Sequence, residues 1–244
     1  MANERLRTAI LASGANESEL ADLTGVDPKT VERWVGGRTP YRRHRFALAR
    51  RLGADENYLW PQARSNEELA DASESEILTI YPHRWAMPRE ALGQLFDDAE
   101  EQIGILVYSG LFLTDDGGLR ALLARKAREG VPVRIMLGDP ASSAVALRGQ
   151  EEGLGDDFPA KVRNAISRLR ELAEVDGVQI RLHGTTLYNS LYRADDQLLV
   201  NCHIHGIAAE SAPVMHLRQL HGGDMVKTYL QSFDRVWAAS RPLE

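Results

Sequence analysis

Hydrophobic residues recur at helical spacing through the amino-terminal part of the chain. Leu6, Ile10 and Leu11 mark one helix; Leu20, Ala21 and Leu23 mark a second, short one. After Gly25, the pair Asp27-Pro28 supplies an N-cap and a proline at the first helical position. A third helix therefore starts there, turns Val31, Trp34 and Val35 inward, and stops at Gly36-Gly37. A fourth, over about 41–52, has Phe46, Leu48, Ala49 and Leu52 on its apolar side, and Tyr58, Leu59 and Trp60 close the bundle. Residues 62–76 are polar, acidic and rich in small side chains, with no apolar face to bury, which predicts a linker.

Beyond it the pattern changes. Residues 103–113 form a buried-strand run ending in a loop, with 108–112 as candidate loop, 119–128 a helix, and 131–137 a second strand that ends at Gly138-Asp139-Pro140. Strand, helix and strand at this spacing predict a parallel crossover and an α/β layered domain, with ligands or chemistry at the strand ends. A helix over 160–174, strands over 178–183 and about 191–205, a loop over 217–224 and a helix over 225–239 complete the pattern. The expected organisation is an all-α domain over 1–62, a linker over 63–76 and an α/β domain over 77–244.

The 244 residues are 43% hydrophobic, enough for two ordinary domains with real cores. Cys202 is alone and cannot form an internal disulfide, which fits a reducing cytoplasm. The first ten residues lack the apolar run of a signal peptide, and 103–113 is too short to span a bilayer, so no membrane association is expected. A net charge of −6 speaks against nucleic acid until it is divided. Residues 1–62 hold ten basic against eight acidic side chains and the remainder 19 against 27, giving +2 and −8. Within 29–51 eight basic residues face the single acid Glu32, a concentrated positive surface.

Leu20-Ala21, Gly25-Val26, Val31 and Trp34 have the spacing of two helices packed across a tight turn. Over residues 4–60 the chain resembles the lambda-repressor-like (XRE) helix-turn-helix family. The resemblance implies that the second motif helix enters the major groove of double-stranded DNA. Lys29, Thr30 and Arg33 would then meet base edges, with Arg33 able to fork onto guanine, while Arg38, Thr39, Arg42 and Arg43 would meet backbone. The glutamine common at the start of the first motif helix is replaced here by Glu17 or Ser18. One such module makes few phosphate contacts, so paired half-sites read by a homodimer are expected.

In the second domain, Tyr188-x-Ser190-x4-Asp195 before an apolar strand matches the layout of the His-x-Lys-x4-Asp signature of the phospholipase D superfamily. The resemblance covers about 77–240. In that superfamily the histidine takes the phosphoryl group and the lysine neutralises it. Here tyrosine and serine stand in their places, only Asp195 survives, and no internal repeat supplies a second copy. The whole chain thus resembles bacterial, chiefly actinobacterial, regulators joining an XRE module to a degenerate phospholipase D-like domain. This implies a domain that is not an enzyme and binds a small ligand.

Alternation places Asn201, His203 and His205 on one strand face; with Tyr108, Tyr188, Ser190, Arg193 and Asp195 they would line a ligand cleft. Alternatively, these groups satisfy one another at a dimer contact. His183, His203 and His205 could converge, but His-x-His alone predicts no metal, and no cofactor is implied. The leading expectation is a cytoplasmic, homodimeric, ligand-controlled transcriptional regulator. The alternatives are a phosphodiesterase or nuclease directed to DNA by its helix-turn-helix, and a second domain that serves only protein interaction.

Overall fold

The computed structural model describes residues 2–61, 74–115, 117–220 and 223–243, the side chains of Arg42, Phe112 and Asp115 excepted. The chain divides after residue 71 into two compact units. Residues 62–73, most of the predicted linker, lie outside the described residues.

The first unit contains α1 (Glu4–Ser13), α2 (Glu17–Thr24), α3 (Pro28–Val35), α4 (Arg42–Leu52) and α5 (Glu56–Leu59). Side-chain oxygens start four of them: Asn3 accepts from the Leu6 N–H, Asn16 from Glu19, Asp27 from Lys29, and Asp55 from Asn57 and Tyr58. Gly25 ends α2 at φ 65°, a left-handed conformation that glycine adopts at little cost, and the Val26 N–H returns to the Ala21 carbonyl. Leu6, Leu20, Ala21, Val31, Leu48 and Leu59 are fully buried, with Trp34 and Trp60 beside them. Phe46 departs from the expected apolar face and is 64% exposed. It lies two positions from Leu48, about 200° around the helix, and the inward place is taken by His44, whose ring sits 5.5 Å from that of Trp34.

The second unit is built on an eight-stranded sheet in the order β1-β7-β6-β5-β2-β3-β4-β8. The strands are β1 (Ile77–Tyr81), β2 (Ile103–Leu106), β3 (Val133–Gly138), β4 (Val178–His183), β5 (Asn189–Ala194), β6 (Gln197–Cys202), β7 (Val214–Arg218) and β8 (Arg241–Pro242). Helices α6 (Ala91–Asp97), α7 (Phe112–Asp115), α8 (Gly117–Arg128), α9 (Ser143–Glu151), α10 (Asp157–Ala173) and α11 (Met225–Ala239) pack around it. β2, β3 and β4 are parallel, as the crossover pattern requires, and the other pairings are antiparallel.

Two further expectations are corrected. The run 103–113 is strand only to Leu106, after which the chain turns into the loop before α7. The segment 191–205 is a hairpin: Asp195, at φ 50°, turns the chain between β5 and β6, and β6 ends at Cys202. Two strands have no counterpart among the expected elements: β1, at the sheet edge, leaves Leu78 and Ile80 exposed, and β7 lies between it and β6.

Register fixes which side chains meet. Ser190 pairs with Asn201 and Tyr192 with Leu199 on one face, while Gly104 and Arg193 pair on the other. On that second face a Cβ at position 104 would come within 2.9 Å of the Phe233 ring, so glycine there lets α11 close on the sheet.

Glu76, placed by sequence in the linker, is fully buried. Its carboxylate accepts from the Met225 and Val226 N–H groups at 2.9 and 3.4 Å, capping α11. Glu76→Ala leaves these donors without a partner and is expected to lower stability by about 2–3 kcal/mol. Urea unfolding of the full chain measures this; an unchanged midpoint would remove Glu76 from the fold's support.

Candidate functional site

Two regions carry the predicted residues, one in each unit. On the first, α3 packs Val31, Trp34 and Val35 inward, leaving Lys29 and Arg33 exposed and Thr30 half-buried. Arg38, Thr39 and Arg43 are exposed on the following loop and helix; the Arg42 side chain lies outside the described atoms. The basic run is not all surface for a partner. Arg45 is bound to Glu56 at 2.8 Å and to the Pro40 carbonyl at 3.1 Å, and Arg51 Nε to Glu19 at 2.9 Å. These two arginines tie helices together. The outward charge belongs to Lys29, Arg33, Arg38, Arg43 and Arg50.

In the second unit a cleft of about 440 Å³ opens beside the start of β5 and the loop after β2. Its walls include Tyr108, Ser190, Tyr192 and His203, with Arg84, Arg148 and Lys161 as cations and Glu152 and Glu210 as acids. Ser190 Oγ lies 2.9 Å from His203 Nε2, and His203 Nδ1 lies 3.2 Å from the Leu187 carbonyl. A carbonyl only accepts, so Nδ1 carries the proton, Nε2 presents its lone pair, and the Ser190 hydroxyl donates to it. The imidazole is held flat against Tyr108, rings 5.6 Å apart, while the Tyr108 hydroxyl accepts from the Leu187 N–H at 2.8 Å. Tyr192, bonded to Arg84 and Ser190, is kept protonated by burial, which raises its phenol above the ordinary value.

Burial, with the nearby Arg148 charge, lowers His203 to about 4. The ring is neutral at pH 7 and able to accept a proton. The unfolded chain takes up this proton near pH 6.5 and the folded chain only near 4, so stability falls as pH drops through that window and is unaffected above 7. The contribution is up to about 2 kcal/mol after partial exposure is allowed for. His203→Gln is expected to flatten the pH dependence of the urea midpoint between pH 7 and 4.5; an undiminished slope would assign it to other groups.

Of the predicted ligand residues, Tyr108, Ser190 and His203 come together. The others do not. Tyr188 is 79% exposed and does not line the cleft. Arg193 projects from the opposite face of the sheet, its Nε donating to the Asp195 carbonyl. Asp195 sits at the far end of β5, where its carboxylate accepts the N–H groups of Glu100, Glu101 and Gln102, each at 2.8 Å. Asn201 is buried and its amide holds the Ala209 and Pro213 carbonyls. His205 lies past the end of β6, exposed, 3.8 Å from Glu151. His183 is buried and bonded to the Val107 carbonyl and the Thr185 N–H, so the three histidines do not converge. Among the described residues no three His, Cys, Asp or Glu are grouped to hold a metal ion.

Sequence reasoning missed Arg84, Arg148, Lys161 and Tyr192. Tyr192 was within reach, two positions from Ser190 and hence on the same strand face. The three cations come from separate segments and carry no local signal. Arg148 is itself bonded to Glu152 and to the Ile204 and Ile207 carbonyls, so it shapes the wall rather than reaching into the space.

No family model and no curated protein matches the sequence. Solved structures resemble it in fold. A phospholipase D family member, Nuc from Salmonella typhimurium, aligns with a TM-score of 0.44 at 15% identity, over 64% of this chain and 90% of that one. The phosphatidylserine synthase of Haemophilus influenzae aligns at 0.45 and 13%, over 63% of this chain and 36% of that one. TrmBL2, an archaeal chromatin protein whose structure shows a mode of DNA binding, aligns at 0.42 and 14%, over 99% and 93%.

The expectation of a domain without activity is corrected here. The solved structures that align with this chain include a phospholipase D family member and a synthase. The cleft also holds a hydroxyl, that of Ser190, against a neutral imidazole. No helix among the described residues is long and apolar enough to cross a membrane.

Proposed function

We propose that this chain is a sequence-specific duplex-DNA-binding regulator, acting as a homodimer on paired half-sites, whose carboxy-terminal cleft takes a phosphate-bearing small molecule. The observation that carries the DNA-binding reading is the division of α3: Val31, Trp34 and Val35 are buried, while Lys29 and Arg33 stand exposed beside Arg38, Thr39 and Arg43. A helix anchored on one side and cationic on the other, started by Asp27-Pro28, suits insertion into a major groove. Ligand binding that favours one dimer arrangement would change the spacing of the two heads and so the affinity for paired half-sites.

The test is selection of duplexes from a random library by the full chain. Enrichment of one two-fold-related sequence is expected; recovery without sequence preference would end the reading. A second reading, a phosphodiesterase directed to DNA by its helix-turn-helix, is favoured by one observation: the Ser190–His203 pair in a cleft that also holds Arg84 and Lys161.

A further inference from the structure

Resting on the second of these readings, we infer that Ser190 is a nucleophile and His203 its general base, and that together they cleave an anionic phosphoester bound in the cleft between β5 and the loop after β2. Three features carry this. The Ser190 hydroxyl is 2.9 Å from the lone pair of His203 Nε2, within reach for proton transfer. The tautomer that places this lone pair on Nε2 is enforced from the other side of the ring by the Leu187 carbonyl, and the ring plane by Tyr108. Leu187 is in turn fixed through its N–H on the Tyr108 hydroxyl. A nucleophile, a base and a group that orients the base are thus built into one wall, with a backbone carbonyl in the third role.

The surroundings select the substrate. Arg84 and Lys161 line the same space as Ser190, which favours an ester that already carries negative charge. A second, larger cavity of about 910 Å³ shares Arg84 and Tyr192 with the cleft and is walled by Trp85, Met87, Leu92, Leu119, Leu122 and Leu199. Tyr192 and Leu199 face each other across β5 and β6, on the face that bears Ser190. A phosphodiester with one apolar substituent fits this pair of spaces, its phosphate at Ser190 and its apolar group beyond Tyr192.

In the first step Ser190 Oγ bonds to phosphorus and the bond from phosphorus to the leaving oxygen breaks. The hydroxyl proton passes to His203 Nε2 and from there to the leaving alcohol. In the second step water attacks the phosphoserine, its proton goes to Nε2 and then to Ser190 Oγ, and the phosphate monoester departs. Water is the sole co-reactant, and no electrons are exchanged.

The experiment offers bis(4-nitrophenyl) phosphate to the full chain and follows nitrophenolate release and the intact-protein mass. Turnover with a phosphoryl adduct mapped to Ser190 is expected. Ser190→Ala should fall to the protein-free rate and form no adduct, and His203→Gln should lose about 10²–10⁴-fold. Both variants are checked for cooperative unfolding, and Ser190→Cys, which keeps a nucleophile beside the base, should still form an adduct. Turnover that survives in Ser190→Ala but is lost in His203→Gln would overturn the inference while leaving a phosphodiesterase with another nucleophile. Hydrolysis of 4-nitrophenyl acetate alone would overturn the substrate class. Absence of turnover and adduct in the folded wild-type chain would overturn both the inference and the phosphodiesterase reading, and leave DNA binding to stand or fall on duplex selection.

Discussion

Arg33→Ala is expected to weaken binding to the selected duplex by about ten- to a hundredfold, the range for removing one bidentate contact to a base edge. Arg33 is exposed on α3 one residue before Trp34, which is buried, so its direction is set by an anchored neighbour. Binding to unrelated duplex should change much less, since a single charge is lost among several that remain. Fluorescence anisotropy on both duplexes at one salt concentration separates the cases. An equal loss on both would make Arg33 a phosphate contact, and no loss on either would remove α3 from the interface. Arg45→Ala serves as the counterpart: its ion pair with Glu56 lies within the helical unit, so it should lower the unfolding midpoint and spare the ratio of the two affinities.

The second large effect is expected at Asp195, on stability. Its carboxylate accepts three backbone N–H groups at 2.8 Å, and Asp195→Ala deprives all three of their partner, at a cost of about 2–4 kcal/mol at pH 7. Partial burial alone would raise its pKa, but the N–H groups of Glu100, Gln102 and Glu101 and the Arg193 charge outweigh it and hold the carboxyl below its ordinary value. A depressed pKa contributes stability that is present above the unfolded value near 3.9 and is lost as pH falls through the folded one. The gap between wild type and Asp195→Ala in urea should therefore be full at pH 7 and narrow below pH 4. Asp195→Asn, with one acceptor oxygen left, should lie between them. A gap independent of pH would mean that the carboxylate charge contributes nothing.

The resemblance to the phospholipase D signature thus led to an aspartate that matters, but for the turn and the strand entry rather than for a ligand. A spacing of residues along a strand records the strand's own geometry. It does not say which end of that strand lies at an opening. Ser190 lies within the short β5 and Asp195 just past its end, yet one faces a cleft and the other closes a loop before β2.

Much of the architecture was legible because it depends on local periodicity. The bounds of β4 and α11, the parallel crossover and the start of α3 at Asp27-Pro28 follow from the alternation of side chains, the helical stripe and the chemistry of a cap, all of which act within a few residues. The division of charge between a basic helical segment and an acidic remainder is likewise a property of order along the chain. The cleft was decided by tertiary structure. Arg84, Lys161, Ser190 and His203 meet there from four separate segments, and only the sheet order that sets β5 between β2 and β6 brings the loop after β2 against the strand that holds the serine. Which nitrogen of His203 bears the proton was decided in the same way, by a backbone carbonyl sixteen residues earlier. Distance along the chain carries no information about such contacts, because they form only when the buried faces of separate elements close on one another.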